Sequence, residues 1–113
     1  MSNKVSSCQE YFERIQERFV AEGAKGIDAT FLFDLAGDDG GQWTVHIKDG
    51  ACSVEEGATV DEPKVTYMMK AQDYVNMANG ELDGRKAFFT RKLKVKGSIP
   101  LAQKMKSFLP PSQ

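Results

Sequence analysis

Few residues in this chain could do covalent or acid–base chemistry. His46 is the single histidine, and Cys8 and Cys52 are the two cysteines. Apolar Trp43, Val45 and Ile47 alternate with Thr44, His46 and Lys48. That period puts His46 on the polar side of a strand, where a lone histidine is more often a surface residue than a base or a ligand. A metal site needs several convergent ligands, and Cys8, Cys52 and His46 have no ligand spacing. There is no Gly-x-Ser-x-Gly elbow and no Gly-x-Gly-x-x-Gly loop. Asp38-Asp39, Glu55-Glu56 and Asp61-Glu62 fall in turns or at strand ends. Neighbours on a strand point to opposite faces, so these pairs read as solvating charge rather than as an acid and its base. The residues point away from catalysis, and neither a cofactor nor a metal is expected.

Charge offers a second kind of chemistry. The chain of 113 residues has a net charge of −1, unevenly spread. Residues 1–63 carry 5 Lys/Arg and 13 Asp/Glu, a balance of −8, and residues 64–113 carry 10 and 3, a balance of +7. Such asymmetry either builds a basic face or neutralises itself across the fold. Lys92, Lys94 and Lys96 alternate with Leu93 and Val95, giving one basic strand face. Nucleic acid is a poor partner for it, because the pI is about 5.8 and no recognition motif is complete. Edge strands also use lysine to block aggregation.

The elements that would position these groups follow from periodicity. Val5, Cys8, Phe12, Ile15 and Phe19 predict one amphipathic helix over 6–22. Strands are expected over 27–36, 43–48, 51–55 and 64–70, the first three as an antiparallel meander. Asp49-Gly50 is the strongest hairpin signal. A helix ending at Asn79-Gly80, a short helix through Phe88-Phe89, a strand over 91–96 and a helix over 99–108 complete the chain. Ser98 caps that last helix, and Pro110-Pro111 stops it, opening a flexible tail over 110–113. The fold class is α+β, a five-stranded and mostly antiparallel sheet with helices covering one face, in a single domain over 1–113. No apolar run approaches the ~18 residues of a membrane span. No signal-peptide stretch opens the chain, the two cysteines suit a reducing compartment, and the end lacks a peroxisomal tripeptide, so the cytoplasm is expected. A monomer is expected.

What remains is apolar. Phe31, Phe33, Trp43, Val45 and Met69 can face the helices from the sheet. Tyr74, Met77, Leu82, Phe88, Leu101, Met105, Phe108 and Leu109 can face the sheet from the other side. These are either simply the core or the wall of an apolar site. Met68, Met69, Met77 and Met105 would give such a wall flexible, polarizable surface. Spacing alone leaves both readings open.

A resemblance weighs between them. Phe31-Leu32-Phe33-Asp34-Leu35, Gly40-Gly41-Gln42-Trp43-Thr44-Val45, Asp73-Tyr74, Met77-Ala78-Asn79-Gly80, Ala87-Phe88, Lys92-Leu93-Lys94-Val95-Lys96-Gly97 and Leu101-Ala102-Gln103-Lys104 stand in the chain in that order. Together they resemble the sterol carrier protein 2 family over nearly the whole chain. The resemblance implies a lipid tunnel between sheet and helices, closed by the last helix. It implies non-catalytic binding and transfer of sterol, fatty acid, fatty acyl-CoA or phospholipid. Gln103 would then offer a polar contact near the mouth, and Lys92, Lys94, Lys96, Lys104 and Lys106 would help docking on anionic membranes. The rival reading is an accessory module that presents lipid to an acyl-CoA or steroid-metabolising enzyme.

Overall fold

The computed structural model describes residues 4–111. Its centre is a sheet of five strands in the order β3-β2-β1-β4-β5. β1 (Ala29–Ala36), β2 (Gly41–Lys48) and β3 (Ala51–Glu56) form the antiparallel meander. Asp49 (φ 53°) and Gly50 (φ 74°) both sit in the left-handed region, as a two-residue turn matched to strand twist requires. β4 (Val65–Lys70) then crosses to the far side of β1 and pairs with it in parallel, and β5 (Leu93–Gly97) joins β4 antiparallel as an edge.

Register puts most of the apolar strand residues on one face. Phe33 lies between Trp43 and Tyr67, Phe31 between Val45 and Val65, and Met69 between Leu35 and Leu93. The other face holds Thr30, Leu32, Asp34, His46, Thr66 and Met68, all half-buried, with exposed Lys94 and Lys96. Met68 is therefore not interior: it pairs with Asp34 and Lys94, one pleat out of phase with Met69.

The helices are shorter than periodicity predicts. The helix expected over 6–22 is α1 (Cys8–Glu13) and α2 (Ile15–Arg18), broken at Arg14, with a 3₁₀ turn at Ala21–Ala24. Ser7 caps α1 by accepting from the Glu10 amide. Arg14 leaves helical geometry (φ −105°, ψ 16°), its guanidinium held by Glu10 at 3.3 Å and Glu17 at 3.0 Å. At Phe19 the chain turns extended, and the Val20 amide donates to the Phe108 carbonyl at 2.8 Å. A tertiary hydrogen bond to the chain's far end thus takes over where helix would have continued.

α3 (Ala71–Ala78) ends at Asn79, with Gly80 at φ 81°. The Asn79 side chain also accepts from the Val5 amide and donates to the Val5 carbonyl, both at 2.8 Å, tying the N-terminal segment to α3. Asp83 caps α4 (Gly84–Phe89). The last helix is likewise two single turns, α5 (Ile99–Gln103) and α6 (Met105–Phe108), joined at Lys104, which keeps right-handed helical backbone (φ −79°, ψ −12°). Ser98 caps α5 through the Leu101 amide, with Pro100 in its first turn. Of the tail expected over 110–113, Pro110 is half-buried and accepts a hydrogen bond from Arg18, Pro111 is exposed, and the rest lies outside the described residues.

Candidate apolar binding site

Between sheet and helices lies a continuous aromatic cluster. From the sheet, Phe33 stacks on Tyr67 (centroids 4.9 Å apart), and Phe31 lies 6.4 Å from Tyr67. From α1, Phe12 stacks on Trp43 at 4.6 Å and meets Phe33 at 5.2 Å. From α3, Tyr74 meets Phe33 at 5.5 Å and Tyr11 at 5.0 Å. From α6, Phe108 lies on Phe31 at 5.7 Å. Edge-on and offset contacts of this kind are each worth about 0.5–1.5 kcal/mol beyond area burial.

Of the residues predicted to line a site, Phe31, Phe33, Trp43, Val45, Met69, Tyr74, Phe108 and Leu109 are buried in one core. Met77, Leu82, Leu101 and Met105 are half-buried against it. Phe88 is a correction: it is 45% exposed, because Ala87 takes the inward face of six-residue α4 and the next side chain turns about a quarter of the way round the helix. Gln103 is exposed on α5. Sequence reasoning missed Tyr11, Phe12 and Tyr67 as site residues. Phe12 was legible in the stripe of the first helix and Tyr67 in the alternation of Val65, Tyr67 and Met69. Tyr11 also falls on that stripe, three residues after Cys8 and four before Ile15.

These side chains are buried against one another. Two clefts open elsewhere on the surface. One, of about 280 Å³, lies between the start of α1 and the β1–β2 loop and is lined by Ser7, Gln9, Asp38, Asp39, Gly40, Gly41, Trp43 and Glu56. The other, of about 380 Å³, sits by Glu22, Lys25 and Asp49. Charged residues line part of each, and Trp43 is the one predicted lining residue among them.

Polar groups inside are few, and each has a partner. The Tyr67 hydroxyl donates to the Ala102 carbonyl at 3.0 Å. The Tyr11 and Tyr74 rings meet edge to face, at 5.0 Å between centroids. Arg18, 5% exposed, lies over the Tyr11 ring at 4.7 Å and donates to the carbonyls of Ala78 (3.1 Å) and Pro110 (3.3 Å). Burial raises the pKa of all three tyrosines. Burial, with the charge of Asp39 adding a smaller part, raises the Cys8 thiol to about 11, and burial alone raises Cys52 to about 11. Neither thiol is a nucleophile at neutral pH, since thiolate is the reactive form. His46 sits on the open sheet face, its Nε2 at 2.7 Å from Glu55 Oε1 and its Nδ1 at 3.2 Å from Thr30 Oγ1. Among the described residues no three His, Cys, Asp or Glu side chains converge as a metal site. The arrangement can bury apolar matter.

The roof over this interior is held unevenly. α5 has no buried residue, and its Leu101 and Ala102 are half-buried above Tyr67. α6 is pinned at its end by Phe108 and Leu109, and at Ser107 by Gly23 of the 3₁₀ turn, where a Cβ would come within 1.8 Å of the Ser107 carbonyl oxygen. The lysines predicted for docking are all exposed: Lys92 just before β5, Lys94 and Lys96 on the open sheet face of that edge strand, and, on another element, Lys104 between α5 and α6 and Lys106 on α6.

Comparison with known proteins agrees with this architecture. Residues 9–110 match the SCP-2 sterol transfer family. The human protein named hydroxysteroid dehydrogenase-like protein 2 is 33% identical over 103 residues, covering 91% of this chain and 25% of that protein. Mouse peroxisomal multifunctional enzyme type 2 is 32% identical over 90 residues, covering 78% of this chain and 12% of the enzyme. The solution structure of the sterol carrier protein domain 2 of Helicoverpa armigera superposes with a TM-score of 0.67 at 25% identity, over 86% of this chain and 78% of that one. The chain thus spans a quarter or less of the length of these two longer relatives.

Proposed function

The chain belongs to the SCP-2 sterol transfer family, and from that membership we propose that it binds and carries lipids without transforming them. The cargo class is sterol, fatty acid, fatty acyl-CoA or phospholipid. The observation that carries this reading is the contrast between a continuous aromatic interior and a roof of two single-turn helices, α5 and α6, held over it chiefly by Phe108 and Leu109. Lipid enters when that roof lifts about Lys104, and the closed interior is the empty state.

Magnitudes favour it. Lifting the roof exposes Phe108 and Leu109, at about 1.5–3 kcal/mol each. A fatty acyl chain returns about 0.8 kcal/mol per buried CH₂, so roughly four to eight methylenes offset the opening and the rest supply affinity. Since the interior's polar groups already bond one another, headgroup discrimination is weak. Gln103 at the roof's outer side is the polar contact proposed for the headgroup. Location in the cytoplasm and a monomeric state are part of the same proposal.

Native mass spectrometry of the purified protein tests it, with titration of a fluorescent fatty acid. One lipid per chain, displaced by the probe, is the expected result. Apo protein that binds no probe would make the aromatic cluster a permanent core. A second reading, a module presenting lipid to an acyl-CoA or steroid-metabolising enzyme, is favoured by one observation: the relatives are several times longer than the region this chain matches, and bear enzyme names.

A further inference from the structure

The most exposed large apolar side chain among the described residues is Phe89, at 82%, with Phe88 beside it at 45%. Their rings touch edge to face at 6.3 Å, so they form one apolar projection at the end of α4. Water is a poor solvent for such a pair, and an exposed apolar cluster on an otherwise polar surface marks a contact site. The company it keeps is cationic. Arg85, Lys86, Arg91 and Lys92 all lie within four residues of the pair, and all are exposed. From residue 84 to the end the chain holds eight Lys/Arg and no Asp/Glu. The nearest acid before them, Asp83, is occupied in capping α4 through the Arg85 and Lys86 amides. Arg91 keeps its charge there in the left-handed region (φ 64°), a conformation cheaper for glycine.

We propose that Phe88 and Phe89 form a wedge that inserts into the headgroup region of an anionic lipid bilayer, with Arg85, Lys86, Arg91 and Lys92 seated on the acidic headgroups. Aromatic rings favour the bilayer–water interface, and clustered Lys/Arg are drawn to anionic leaflets. Each attraction alone is weak and reversible, and the two together suffice for transient docking. β5 continues from the wedge with Lys94 and Lys96, so the cationic strip runs on along the sheet edge. Charge complementarity selects the occupant: an apolar protein partner explains the two rings, but not a flank of cations without one acid.

The wedge does not rest on the carrier reading, and the two fail separately. Cosedimentation of the full chain with phosphatidylcholine vesicles, with and without phosphatidylserine, measures docking. Binding to the anionic vesicles, reversed by salt, is expected. Phe88→Ser/Phe89→Ser and Arg91→Glu/Lys92→Glu should each weaken it about tenfold or more. Binding of a soluble fluorescent fatty acid should stay unchanged in both variants. Phe89→Trp, with Trp43 buried as a silent background, should shift its emission to the blue on anionic vesicles; this decides the matter should the serine variant fold poorly. Equal vesicle binding by wild type and the serine variant overturns the wedge, as does no binding by wild type. Self-association that the serine variant abolishes also overturns it, in favour of a second copy.

Discussion

Tyr67 in the middle of β4 donates its hydroxyl hydrogen to the carbonyl oxygen of Ala102 in α5, at 3.0 Å. This hydrogen bond joins the floor of the interior to its roof, in surroundings dry enough to raise the phenol's pKa. Together with the Phe31–Phe108 ring contact it sets how firmly the roof is shut.

Tyr67→Phe removes the tether and leaves the stacked ring in place. A net hydrogen bond of this kind is worth about 0.5–1.5 kcal/mol. Stopped-flow measurement of fatty-acid uptake and release should find both faster, by roughly threefold to tenfold, with little change in affinity. Unchanged rates would place the barrier elsewhere.

Phe108→Ala deletes a fully buried ring against Phe31. Truncations of this kind cost about 3–5 kcal/mol. Urea unfolding should show that loss, and added fatty acid should restore part of it by filling the space, since a ligand bound only to the folded state stabilises it. A loss that ligand does not recover would mean that lipid never occupies the position of Phe108.

Gly23→Ala tests the other pin of the roof. The new Cβ would stand 1.8 Å from the Ser107 carbonyl oxygen, which is backbone and has no rotamer to yield. α6 or the 3₁₀ turn must move, with a stability loss of at least about 1 kcal/mol. Thermal melting, with amide exchange of residues 105–109, should show faster opening there. A melt equal to wild type would show that this contact carries no strain.

Cys8 and Cys52, each raised to about 11, should be inert to a thiol reagent at neutral pH in the folded state. Their labelling should rise only as the pH approaches that value or as the protein opens. Rapid labelling of the native protein would show that the interior opens without a ligand.

Acid should unfold the protein through its surface carboxylates. Glu10, Glu17 and Glu55 are held below 4.5, and Asp83 below 3.8, by amides, by Arg14 or by His46. A lowered folded-state pKa gives stability that is present above the unfolded value and lost as the pH falls through the folded one. Stability should thus decline below about pH 4.5, and Asp83→Asn should flatten the lower end of that decline. An undiminished slope in Asp83→Asn would remove the cap from this account.

Much of the fold was legible because it is local. Alternation marked the five strands, Asp49-Gly50 the tight hairpin, Ser98 and Pro100 the start of the last helix, and Asn79-Gly80 the end of α3. Each depends on the conformational preferences of a few neighbouring residues. The first helix stops short for a tertiary reason. Nothing within residues 6–22 says that the Val20 amide will bond the Phe108 carbonyl, or that the Arg18 side chain will reach Pro110. Those bonds join residues about ninety positions apart in sequence, and the first uses an amide that a continued helix would have kept.

The candidate site divides the same way. The sequence by itself determined which residues are apolar and on which strand face they lie. Tertiary structure decided the rest. Parallel pairing of β1 with β4 set Phe33 against Tyr67, and the packing of α1 on the sheet stacked Phe12 on Trp43. Phe88 and Phe108 show the division most plainly. Both are phenylalanines in short helices and are equal candidates by composition. One is turned out beside cations and the other is sealed against Phe31. A one-turn helix can rotate freely at little local cost, so only the surfaces it packs against choose which side chain faces in.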